Sequence, residues 1–492
     1  MSSSSRAAIF MPRSLYLVVA LASFSLFTGC GNSSSSSNVV APPSGSNNAL
    51  LQGQYAFEFA GQNGGGFLTA IGSFTADGQG KITAGLEDVN NGTGVQSLTL
   101  TGTYAIGSDR RGTAFITTSA GQATWGFTMV NAAHALLIRF DNFVTASGSI
   151  DQQDPTAFTT AALQGKYVFG LSGLGLNVSN IGMAGAVTMD GAGNISTGVL
   201  DANDGGALVL NSPLTGTYTM ASTGRGLATI TSSFGTQNFV IYVVNSSDLK
   251  IVEADSLPVT SGEILKQVAA PFTNAVLNGN YVFTIGGQDN VLSALGVGGL
   301  FTADGAGHLP SATVDVNDGG VVTQGAAANG TYTVNSAGRG FASFGGIQLA
   351  FYPASNGTIQ LVEIDANGVS TGTARAQLPG PFSLGTLSGS FATNFSGTNL
   401  ISTGGEEDIA GQITSDGAGS VTGSLDVNNA GNLSQGIQLS NSSYTMSTNG
   451  RGTAQINLPS GSFAMQTYQA GPNTILLLEV DGNRVMTGIL EK

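Results

Sequence analysis

A single cysteine, a single tryptophan and two histidines are all that 492 residues contain of those types. One cysteine, Cys30, excludes any intramolecular disulfide, so a folded extracellular chain would have to draw its stability from packing or from metal. The histidines, His134 and His308, fall in different halves of the chain, which excludes a His-based zinc site or catalytic triad in each part. Charged residues make up only 9% of the chain, with 15 Lys and Arg against 29 Asp and Glu. A net charge of −14 argues against nucleic acid as a partner, because phosphate contacts need Lys and Arg. Gly-x-Ser-x-Gly, Walker A and Gly-x-Gly-x-x-Gly runs are absent, so the expectation is a non-enzyme without a cofactor.

Glycine is abundant, at 73 positions, and 41% of residues are apolar, a composition that suits short strands joined by tight turns. Three landmarks recur four times in one order. The first is Leu-x-Gly-x-(Tyr/Phe), at Leu51–Tyr55, Leu163–Tyr167, Leu277–Tyr281 and Leu387–Phe391. The second is Asp-Gly-x-Gly, beginning at Asp77, Asp190, Asp304 and Asp416. The third is Arg-Gly, at Arg111, Arg225, Arg339 and Arg451. The spacing is far longer than that of solenoid repeats, so each copy reads as a domain. Within a copy the apolar period is two, as in Tyr167, Phe169 and Leu171, and no stretch after the N-terminal segment has a helical period. The Asp-Gly pairs predict type I′ hairpin turns. The fold class is therefore all-β: four tandem antiparallel meanders of seven or eight strands, each an up-and-down barrel that hides its edges, with a two-sheet sandwich as the alternative. The predicted segments are 1–29 (signal peptide), 30–48 (Ser-rich tether), 49–158, 161–270, 275–380 and 385–492 (β-repeats).

At the N-terminus, Arg6 and Arg13 precede an apolar run from Leu15 to Phe27, too short for a comfortable membrane span but suited to a signal-peptide core. It ends in Leu26-Phe27-Thr28-Gly29-Cys30. This resembles the lipobox of bacterial lipoproteins, with Phe27 where that family usually has Leu. The resemblance implies cleavage before Cys30 and acylation of its thiol. Gly31 stands where an inner-membrane retention signal would place Asp, so the resemblance to Gram-negative lipoproteins implies an outer-membrane anchor. The four copies also resemble tandem β-repeat surface proteins.

Acids recur alongside the arginines. Each copy has Asp-x-Asn after its Asp-Gly turn: Asp88, Asp201, Asp315 and Asp426, with Asn90, Asn203, Asn317 and Asn428. Three copies have Glu-x-Asp late, at Glu253, Glu363 and Glu479, where the first has Arg139 and Asp141. By alternation, Ile195, Val199, Asp201 and Asn203 share one strand face, as do Leu249, Ile251, Glu253 and Asp255. The expectation is a structural ion-pair cluster inside each unit, with Arg339 bonded to Asp315, Glu363 or Asp365, and no metal. Calcium is the competing reading, since Asp201–Gly206 partly follows an EF-hand loop, but Gly205 occupies a ligand position. Paired carboxylates for glycoside hydrolysis are disfavoured by fourfold repetition. Thr75–Ile82 resembles an avidin-type hairpin, but Trp125 is the only tryptophan, so no binding residues follow from it. Function then reads as a structural or adhesive surface lipoprotein, membrane-bound through Cys30, with a protein or glycan partner left open. The alternative is a set of small-ligand-binding barrels, and filled or hollow interiors distinguish the two.

Overall fold

A computed structural model describes residues 46–492, except 65, 402–404 and 460; the signal segment, Cys30 and nearly all of the tether lie outside these residues. Each repeat folds as a closed eight-stranded antiparallel barrel in simple meander order, and the only helical pieces among the described residues are single 3₁₀ turns. The first strands are Gln52–Asn63, Gln164–Leu174, Asn278–Asp289 and Ser388–Asn399. The eighth strands are Val144–Gln152, Val259–Lys266, Gly368–Ala376 and Arg484–Glu491. First and eighth strands pair to close each barrel, with Phe57 opposite Ile150 and Phe169 opposite Ile264. In barrel 4 the fourth strand is broken into Asn432–Gln438 and Ser442–Met446, and the second and third strands still pair, so closure is kept.

The landmarks each have a local cause. A 3₁₀ turn enters each barrel, and a buried tyrosine from the fourth strand ties it down: Tyr104 and Tyr332 donate to the carbonyls of Leu51 and Leu277 at 2.7 Å. The Asp-Gly-x-Gly hairpins are not type I′ turns. Only the glycines take positive φ (Gly78 at 75°, Gly80 at 108°), and the Asp77 carboxylate closes a three-residue loop by accepting from the backbone N–H groups of Gln79 and Lys81. Side-chain acceptance replaces the positive φ that a type I′ turn would demand of the aspartate. In Arg-Gly, the glycine faces the barrel interior: a Cβ on Gly112 or Gly340 would enter the ring of Phe127 or Phe351. Its arginine neighbour must then point outwards.

Each interior is packed with apolar side chains. In barrel 1, Trp125 lies 4.8 Å from Phe57 and 6.1 Å from Phe74 between ring centroids. The barrels then join head to tail. The second strand of each (Gly66–Asp77, Asn180–Asp190, Ala294–Asp304, Glu406–Asp416) packs against the seventh and eighth strands of the next, and that of barrel 4 packs against barrel 1. The four barrels therefore close into a ring. Outward-facing apolar residues line its seams: Ile71 with Val240 and Val252, Ala184 with Ala350 and Val362, and Leu300 with Leu476 and Leu478. Each fully buried Val, Ile or Leu there contributes about 1.5–3 kcal/mol. The closing seam, between barrels 4 and 1, holds two smaller clusters, one around Val130, Leu136 and Ala392 and one around Ile138, Phe140 and Ala410.

Candidate functional site

The recurring arginines and aspartates meet across the seams. Arg225 grips Asp88 with Nε and Nη2 at 2.7 and 2.9 Å, Arg339 grips Asp201 at 2.6 and 2.7 Å, and Arg451 grips Asp315 at 2.9 and 2.6 Å. Arg111 of barrel 1 completes the circuit with one bond of 2.8 Å to Asp426 of barrel 4. The expected pairing of Arg339 with Asp315, Glu363 or Asp365 in its own unit is thus corrected: its partner belongs to the preceding barrel.

The three aspartates facing bidentate arginines are fully buried, and each also accepts from a neighbouring tyrosine hydroxyl: Tyr242 at 2.6 Å on Asp88, Tyr352 on Asp201, and Tyr468 at 2.8 Å on Asp315. Burial pushes all three phenols up, and the aspartate charge adds to it, so they remain donors at any physiological pH. At the closing joint Thr128 occupies the corresponding position opposite Arg111. Burial raises Asp426 there, with Arg111 opposing. The Asn of Asp-x-Asn completes each joint: Asn203 donates to the carbonyls of Glu363 and Gly368 of barrel 3, and Asn428 to those of Arg139 and Val144 of barrel 1.

The glutamates of the expected cluster do not reach the arginines. Glu253, Glu363 and Glu479 lie inside their barrel walls, opposite the interior residues Phe239, Leu349 and Met465. Burial pushes Glu253 and Glu479 up to about 10 and Glu363 to about 7. Arg139, in barrel 1, stands over the Phe59 ring at 5.1 Å and bonds to Asp141 at 2.7 Å. A second ionic chain links three barrels: Glu491 of barrel 4 to His134 (3.0 Å), His134 to Asp151 (2.6 Å), and Asp151 to Lys250 of barrel 2 (3.0 Å). Burial opposes charge on His134, but its two carboxylates outweigh it and hold the ring at about 10.

The barrel interiors leave space of only about 10–20 Å³ in barrels 2, 3 and 4, room for about one water and no larger molecule. A larger cavity, about 320 Å³, lies where all four barrels converge. Its walls include Gly61 and Ser147 of barrel 1, Asn180 of barrel 2, Thr371 of barrel 3, and Ser396 and Glu406 of barrel 4. These residues sit at the ends of the first strands and the beginnings of the second and eighth, so the cavity lies near the first hairpin loops. Those loops carry exposed apolar side chains, Leu176 and Val178 in barrel 2 and Val291 and Leu292 in barrel 3. No group of three or more His, Cys, Asp or Glu among the described residues could hold a metal ion.

No protein-family model and no curated protein matches the chain. Among solved structures, the chain is similar to transferrin binding protein B from serogroup B Neisseria meningitidis, at 8% identity over 73% of this chain and 83% of that one, with a TM-score of 0.20. It is also similar to a Trp-176-Ala mutant of transferrin binding protein B from Haemophilus parasuis, at 10% identity over 90% and 95%, with a TM-score of 0.18.

Proposed function

We propose that the chain is a non-enzymatic cell-surface lipoprotein, held at the outer membrane through an acylated Cys30, whose ring of barrels serves as a rigid structural or adhesive platform. The observation that carries the platform reading is the packing. Barrels with no room for a ligand, joined by buried Arg–Asp–Tyr contacts and apolar seams, make a stiff body rather than four independent cups. This speaks against the alternative of small-ligand barrels, because the barrel interiors are filled. The lipid anchor rests on the lipobox-like Thr28-Gly29-Cys30, and acyl chains at about 0.8 kcal/mol per buried CH₂ hold such a body at a membrane.

Metabolic labelling with a palmitate analogue tests the anchor. Wild type is expected to take up label and fractionate with membranes, and Cys30→Ala to do neither; equal labelling of both refutes it. Adhesion is tested by coating beads with the purified ring and measuring their binding to protein- and glycan-coated surfaces. Retention no greater than that of uncoated beads refutes the adhesive role.

A further inference from the structure

The axial cavity breaks the fourfold pattern in one barrel only. Asp408 pairs in register with Asn428 as Gly182 does with Asn203, Gly296 with Asn317 and Thr69 with Asn90. Two residues earlier, Glu406 stands where the other barrels have Phe67, Asn180 and Ala294. Three barrels thus build the same strand and seam without a carboxylate at either position. The fold does not require these acids, and both are costly. Asp408 is 0% exposed, and its carboxylate faces the Ser396 and Ser147 hydroxyls, neutral groups that cannot balance its charge. Glu406 lines the cavity, and its Oε2 is buried without a hydrogen-bond partner. Burial with an unpaired carboxylate disfavours the charged form. Burial, with the Asp408 charge adding to it, pushes Glu406 well above the carboxylate range, and it lifts Asp408 to about 7 against the pull of the Ser396 and Ser147 hydroxyls. No Lys or Arg is among the residues lining the cavity.

We propose that the axial cavity is a binding site for a small organic cation bearing a primary ammonium group, with Glu406 as its counter-charge and Asp408 as a second carboxylate behind it. The volume decides between cations. About 320 Å³ falls in the lower range of small-molecule pockets, far more than a bare ion fills. Calcium wants six to eight oxygens, several of them carboxylate, and two acids are too few. A primary ammonium brings three donors, which match a carboxylate and the flanking hydroxyl and amide oxygens of Ser147, Ser396 and Asn180. The apolar first loops beside the cavity suit an alkyl substituent on the ligand. The site is independent of lipid anchoring at Cys30.

The test is calorimetric titration of the full chain with n-butylammonium chloride. A saturable heat with one site per chain is expected, with release of protons near neutral pH as the cation selects the ionised carboxylates. Glu406→Gln and Asp408→Asn are expected to keep the ring folded, since each puts a neutral group of the same shape where burial already disfavours the charged form, and to weaken binding at least tenfold. n-Butanol, which lacks the charge, is expected to give no saturable heat. Heats equal to those of sodium chloride, unchanged affinity in Glu406→Gln, or no proton release would each overturn the assignment. Saturable calcium binding that Glu406→Gln abolishes would overturn it in favour of a metal site.

Discussion

Replacing Arg339 tests whether the joints hold the ring. Arg339→Met keeps most of the apolar stem and removes two charge-assisted bonds of 2.6 and 2.7 Å to Asp201, a side chain with no exposure to water. Stranding a buried partner charge costs about 3–5 kcal/mol. Asp201 would still accept from the Tyr352 hydroxyl and, at 2.7 Å, from the Asn211 N–H, which places the expected loss near the lower end, about 3 kcal/mol. The assay is urea unfolding of the full chain for Arg339→Met, Asp201→Asn and the pair. The double variant should lose clearly less than the sum, with a coupling of at least about 1.5 kcal/mol. Asp315→Asn, whose partner is Arg451, should add to Arg339→Met within about 0.5 kcal/mol. A neutral Arg339→Met, or coupling to Asp315 in place of Asp201, would refute the joint as drawn.

Removing one phenol, as in Tyr468→Phe, deletes a 2.8 Å bond to the buried Asp315 and is expected to cost about 1.5–3 kcal/mol by thermal or urea unfolding; a loss below about 0.5 kcal/mol would count against the role given to the tyrosines. Glu479 is expected to make stability fall as pH rises. Its carboxyl is raised from 4.5 to about 10 in the folded chain, so its contribution is fully present below pH 4.5 and is lost as pH climbs towards 10. Glu479→Gln is permanently neutral, so its stability should gain on wild type steadily from pH 5 to pH 9; parallel pH profiles would show that the residue is not protonated in the fold.

The repeats, the strands and the meander are legible in the sequence because alternation and turn residues are local signals. Tyr167, Phe169 and Leu171 point inwards as their parity requires. The face assigned to Asp201 is not legible by the same rule. The third strand of barrel 2 shifts register between Ile195 and Gly198, so Ile195 packs inside while Val199 and Asp201 face out towards barrel 3. A bulge inserts one residue and reverses every later side chain, and nothing in the composition of that strand marks it. With Asp201 outside the wall and Glu253 inside, the two acids that share a recurring pattern cannot share a partner. The signal for the true partner does exist in the chain: Gly226 and Gly340 must face inwards, which sends Arg225 and Arg339 out. What sequence alone withholds is which neighbour receives them. The departure of Glu406 and Asp408 from the other three copies is visible once the copies are aligned on Asp-Gly-x-Gly, but the cavity that gives it meaning exists only after the ring has closed.

That closure sets the copy number. Every joint uses a donor face on one barrel and an acceptor face on the next, a contact that by itself would propagate without end as a filament. Here each step turns the chain by roughly a quarter of a revolution, so the fourth acceptor arrives at the first donor and no joint face is left unpaired. A gene with three copies would display one unmet Asp and one unmet Arg surface to its surroundings, and would be liable to polymerise. A gene with five would have to expel a barrel or open the circle. Addition of copies therefore has a geometric stopping point, and the seam at which the circle closes is the one where Thr128 stands in place of tyrosine.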